Sequence, residues 1–152
     1  MTVADQLHAL GLSLPDTPRP LASYVPAVRT GNLVYTSGQL PTISGQLTAS
    51  GLVGLDLNED QGLEAARVAV LNALAAIASV AALDDIVRVV HVTGYVASAD
   101  GFTDQPAVVN GASDLLLQLF GDAGRHSRAA VGVAILPLGA PVEIDLIVEV
   151  KP

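Results

Sequence analysis

A chain of 152 residues, 51% hydrophobic and only 14% charged, is long enough to bury a core of its own and suits one domain over residues 1–152. Seven Lys+Arg against fifteen Asp+Glu give a formal net charge of -8, which argues against nucleic acid and against an anionic membrane surface as partners, because clustered cations hold both. The absence of cysteine removes disulfides and thiolate nucleophiles and leaves only histidine and carboxylates for any metal site.

The N-terminus, MTVADQLHALGLSLP, lacks the basic-then-apolar pattern of a signal peptide, so the reading is cytoplasmic. No apolar run approaches the roughly 18 residues of a membrane span. The surplus of apolar residues then points to a subunit interface, and an oligomer is expected. Thr2 and Asp5 form a capping pair for a first helix that Gly11 and Pro15 end. Prolines 15, 18 and 20 make an extended connector, so residues 1–20 read as a helix-and-connector extension.

Leu21 to Gln39 reads as a hairpin, with ASYVPAV as one strand, a turn at Arg29–Asn32, and LVYTSGQ as the other. Pro26 makes the first strand an edge strand or a bulged one. A glycine-bearing loop over Ile43–Asp56 follows, with a short strand expected near Gly51-Leu-Val. Helical spacing of Leu63, Ala66, Val70, Leu74 and Ile77 predicts a long helix over 59–80. The valine-dense run Ile86–Ser98 is the strongest strand, with a bulge expected at Gly94. Pro106 opens another helix in its first turn, Val109, Ala112, Leu116 and Leu119 form its inner stripe, and Gly121 ends it. Arg128–Leu136 and Val142–Val150 read as two last strands forming a hairpin through the turn-rich Pro137–Pro141.

The order is α+β: a mixed sheet with two helices packed on one face and the other face left open. Ala130, Gly132 and Ala134 line one side of a strand and would permit close approach of another sheet. His8, His91 and His126 are scattered with no pair at metal-ligand spacing, so no metal is expected. Neither a phosphate loop nor a nucleophile elbow occurs.

Chemistry therefore concentrates in SRAAVGVAILP and VEIDLIVEV. Arg128 stands in an apolar, cation-poor chain and needs an anionic partner or ligand, and a guanidinium can hold a carboxylate through two parallel hydrogen bonds. Glu143, Asp145 and Glu149 share one side of the last strand. One of them, working with Arg128, would act on a small anionic substrate; alternatively Arg128 bridges subunits to an acid such as Glu149. In a regular hairpin Arg128 and Glu143 lie roughly 23 Å apart, so a site using both would lie between subunits. Ser37 and Gly38 read as a polar strand end or as a cradle for a small polar ligand.

The segments SYVPAVRTGNLVYTSGQLP, VVNGASDLLLQLFG, SRAAVGVAILP and VEIDLIVEV, in this order, resemble the RidA/YjgF (L-PSP endoribonuclease-like) family. The extra N-terminal helix and GRHSRAAVGVA resemble a longer-chain branch of it. The resemblance implies a chorismate-mutase-like fold, a homotrimer with clefts between subunits, and hydrolysis of reactive 2-imino acids to 2-keto acids and ammonia. It implies Arg128 as the carboxylate anchor, Glu143 as the residue positioning water, Tyr24 closing the pocket, Ser37 and Gly38 as the cradle, and Asn110 beside the cleft. Ala130 stands where the better-known members carry a cysteine, and Asp145 is an alternative to Glu143. No cofactor is implied, since an iminium is already electrophilic. A non-catalytic binder or regulator of small carboxylates is the alternative, and a ribonuclease a further one disfavoured by the charge.

Overall fold

The structure, a computed structural model, describes residues 1–152. The elements run α1 (Val3–Ala9), β1 (Ala27–Thr30), β2 (Leu33–Thr36), β3 (Thr42–Ile43), β4 (Gln46–Leu47), α2 (Glu59–Ala78), β5 (Ile86–Ala97), α3 (Gln105–Phe120), β6 (Ser127–Val133) and β7 (Val142–Val150). The main sheet has the order β1-β2-β7-β5-β6, and β3 and β4 form a separate small hairpin. The fold is α+β, as the pattern predicts. No helix is long and apolar enough to cross a membrane.

Helix starts follow local chemistry. Thr2 caps α1 with a reciprocal bond from Asp5, and Asn58 caps α2 by accepting from Gln61 N at 2.8 Å while Gln61 returns the bond to Asn58 N. From Ala69 to Ile77 α2 is buried on every side, as a helix apolar all round must be. One flank meets the sheet. The N-terminal connector reaches it too, Thr17 Oγ1 donating to Ala75 O at 3.5 Å, and Asn72 Nδ2 ties it to the carbonyls of Leu40 and Thr42.

The expected hairpin between the last two strands does not form. β5 lies between them, parallel to β6 and antiparallel to β7. Ser98 N bonds Val133 O and Ala97 N bonds Pro141 O, so the end of β5 is held between the two. The physical reason is burial: the most valine-rich strand gains most from having a neighbour on each side. β6 stops at Val133, and residues 134–141 are long enough to span two strand spacings of roughly 4.8 Å each.

Four smaller expectations change as well. Gly94 is paired with Ala130 and Ile144, and the register shifts fall at Ile86/Arg88 and Val89/His91. A side chain at Gly94 would collide with Val109, so glycine here lets α3 lie close on the sheet. Ala130 packs against the core and Gly132 sits under Gln105, so this stripe faces the helix layer rather than an open sheet. β1 begins only after Pro26, though it is the edge strand its proline required, and Val53 makes only isolated bridges to Leu57 and Ser98.

Val34, Val92, Val96, Ile144, Leu146 and Val148 point from the sheet to α2 and α3 and form the core with Val70, Leu74, Val109 and Leu116. The opposite face carries Val28, Tyr35 and Val131, all exposed, beside Tyr95 and the carboxylates of Glu143, Asp145 and Glu149.

Candidate functional site

The predicted residues separate into two groups on opposite faces of the sheet. Arg128 pairs in register with Val92, which is fully buried against the helices, so its side chain projects to the helix face. There it meets α3. Nη1 donates to Asn110 Oδ1 at 2.7 Å and to Ser113 Oγ at 3.2 Å, and Nη2 donates to Pro106 O at 3.2 Å. Pro106, Asn110 and Ser113 fall at i, i+4 and i+7, one stripe of the helix.

All three acceptors are neutral, and no carboxylate pairs with Arg128. A guanidinium has five N–H donors. Nη1 uses both of its hydrogens here and Nη2 one, leaving the hydrogen on Nε and one on Nη2. These are adjacent nitrogens, suited to the two oxygens of a carboxylate. Ala130 follows two residues on, on the same side of β6.

The second group lies where β2 ends and β7 begins. The alternation of β7 buries Val142, Ile144 and Leu146 and turns Glu143 and Asp145 to the open face. Gln39 and Ile144 exchange backbone hydrogen bonds of 2.7 and 2.9 Å, which brings Gly38 beside Glu143. A Cβ on Gly38 would lie 2.6 Å from Glu143 Oε2, so the carboxylate occupies the space that glycine leaves. Ser37 Oγ donates to Val25 O at 2.6 Å, holding the chain just before β1 against this turn.

Tyr24 is 46% exposed, and its hydroxyl accepts from Leu21 N at 3.3 Å. Tyr24 and Gly38 also line a cavity of about 840 Å³ between the connector, the residues after β2, and α2, with Arg19 and Asn72 on its wall.

The carboxylates on the open face are electrostatically uncomfortable. Burial, then the charge of Asp145, pushes Glu143 above the usual carboxylate range. Asp145 is pushed up by burial, against the hydrogen bonds of Thr93 and Tyr95 and the attraction of His91. Tyr95 donates to Asp145 Oδ2 at 3.3 Å, and burial followed by that carboxylate's charge raises its own pKa.

Arg128 and Glu143 do not meet within one chain. They are two strands apart and three residues out of register, roughly 10 Å in each direction, and they face opposite ways. The separation is shorter than the roughly 23 Å a hairpin would give, because β5 lies between the two strands, but the conclusion that the two residues do not meet within one chain holds. Arg128 makes no ion pair with Glu149 within the chain either. Sequence reasoning missed Ser113 and the Pro106 carbonyl. The signal was Asn110 and Ser113, two polar residues three apart beside the apolar stripe of α3.

Comparison with known proteins gives the class. The family model described as "YjgF/chorismate_mutase-like, putative endoribonuclease" matches residues 4–150. The chain belongs to that family, the YjgF/RidA proteins, and its fold is theirs. Among relatives, Protein TCP17 of Trypanosoma cruzi is 43% identical over 153 residues, covering 98% of this chain and 94% of that one. A protein of Dermatophagoides farinae named 2-iminobutanoate/2-iminopropanoate deaminase is 32% identical over 142 residues, 92% of this chain and 95% of that one. The crystal structure of Atu1372 from Agrobacterium tumefaciens superposes with a TM-score of 0.91 at 44% identity, covering 98% of this chain and 92% of that one.

Proposed function

We propose that the protein hydrolyses small 2-imino acids to 2-keto acids and ammonia, in clefts between the subunits of a homotrimer. The observation that carries this reading is Arg128: a fixed guanidinium with three neutral acceptors, no anion, and two adjacent N–H donors left over. The resemblance of the D. farinae deaminase supports the choice of substrate. Because Glu143 faces away from Arg128 within a chain, a site using both takes its carboxylate from a neighbouring copy.

In this scheme Arg128 binds the substrate carboxylate and fixes the imine carbon near Glu143, turning a bimolecular encounter into an oriented one. Glu143 accepts a proton from water as the oxygen bonds to the iminium carbon. The carbinolamine then breaks its C–N bond, the proton passes to the departing nitrogen, and the products are keto acid and ammonium. A carboxylate raised above its ordinary range is a better base near neutral pH than a solvated one. No step of this scheme requires a cofactor.

The test is a coupled assay in which an amino-acid oxidase generates imines of varied side chain and keto-acid release is followed. Faster release with the protein than without it supports the reading, and no acceleration with any side chain sinks it. The separation of Arg128 from Glu143 within a chain favours a second reading, a receptor for small carboxylates without turnover. Saturable binding of 2-oxobutanoate with no imine hydrolysis would select that one.

A further inference from the structure

We propose that Ser113 and His126 form a positioning relay that fixes the guanidinium of Arg128, a role that rests on the carboxylate-binding reading above. His126 Nδ1 lies 2.6 Å from Gly124 O, and Nε2 lies 2.8 Å from Ser113 Oγ. A carbonyl oxygen only accepts, so Nδ1 carries a hydrogen, and with a single ring hydrogen Nε2 is the acceptor. The Ser113 hydroxyl therefore donates to Nε2. That orientation turns a lone pair of Oγ toward Arg128 Nη1, whose hydrogen it accepts at 3.2 Å. The relay runs from Gly124 O through the imidazole and the hydroxyl to the guanidinium, and every bond in it has a defined direction.

The geometry explains why such a relay matters. Asn110, Ser113 and Pro106 hold the planar group at three points on two nitrogens, which fixes its plane. Two points would leave an axis about which it rocks, and the free donors on Nε and Nη2 would sweep with it. A docked carboxylate needs both donors aimed together. His126 and Arg128 are two residues apart in an extended segment and so share a face. His126 follows a short 3-10 turn at Gly121–Gly124, so the link from α3 to β6 sets the anchor's direction as well as the strand's start.

The experiment uses the assembled protein and two readouts, calorimetric binding of 2-oxobutanoate and the NMR order parameter of the Arg128 Nε–H bond. Ser113→Ala is expected to weaken binding about tenfold, the scale of one charge-assisted hydrogen bond, and to lower the Arg128 order parameter. His126→Phe, which leaves the hydroxyl without its acceptor, should weaken binding roughly threefold. Ser113→Thr keeps the hydroxyl and should restore both readouts. Unchanged Arg128 order in Ser113→Ala overturns the relay. So does a Ser113→Thr variant no better than Ser113→Ala, with losses that follow melting temperature. A wild type that binds no 2-oxobutanoate but loses Arg128 order in Ser113→Ala upholds the relay and overturns the carboxylate reading, so the two failures separate.

Discussion

The arginine group on α3 and the carboxylate group beside Gly38 are opposites in how they are held. Arg128 is a cation whose position is over-determined by neutral acceptors and whose charge is answered by nothing in the chain. Glu143 and Asp145 are two acids side by side, half-covered, and raised by burial. One region has geometry without charge balance, and the other has charge strain. In the assembly proposed above, the unanswered cation on one face of a chain would meet the acids on the open face of a second copy. The resulting cleft would hold an anchor for a negative group next to a base, which is what imine hydrolysis requires.

Removing the anchor should have the largest effect. Arg128→Ala loses both the orientation and the charge of the site, and kcat/KM for 2-iminopropanoate is expected to fall by roughly a thousandfold. Size-exclusion chromatography should show the assembly unchanged; undiminished turnover would refute the assignment. Glu143→Gln breaks the other half and should lower kcat about a hundredfold, the usual contribution of a general base, with 2-oxobutanoate binding retained. Asp145→Asn run beside it decides between the two acids. If the aspartate variant suffers the larger loss of kcat, the base is Asp145.

Local chemistry made much of this legible. The capping pairs at Thr2/Asp5, the apolar stripes of α2 and α3, the edge strand marked by Pro26 and the alternation of β7 could each be read from neighbours within a few residues. Strand order could not. Nothing in Pro137–Pro141 distinguishes a tight return from a link that steps over β5, because the choice depends on burying a strand distant in sequence. Gly94 shows the same limit: its glycine answers Val109 on α3, a contact made across the layers, and not a local bulge. Arg128 and Asn110 were found separately, whereas Ser113 became visible only when β6 was placed under α3.

Gly38 tests how tightly the carboxylate half is built. In Gly38→Ala the new methyl falls where Glu143 Oε2 now lies. The glutamate is flexible enough to swing away, so the fold should survive, while kcat drops about tenfold as the base leaves its place. An alanine variant with wild-type kcat would show that the contact between Gly38 and Glu143 does not position the base.

The smallest effect is on stability, and its sign is fixed by the open face. Glu143 and Asp145 have carboxyl pKa values raised in the folded protein, so the native state binds their protons more tightly than the unfolded chain does. The stabilisation this gives is complete below the ordinary carboxylate range, about pH 4, and is lost as pH climbs through the raised values. Above that range the two acids are held in surroundings that disfavour their charged forms, which costs the folded state stability. Glu143→Gln removes one of the two ionisable groups and should melt at a higher temperature than the wild type at pH 7. The gap should close as pH falls below about 4, where the wild-type carboxyl is neutral as well. A gap of the same size at both pH values would mean that the glutamine acts through packing, and that the two acids are not in electrostatic conflict on this face.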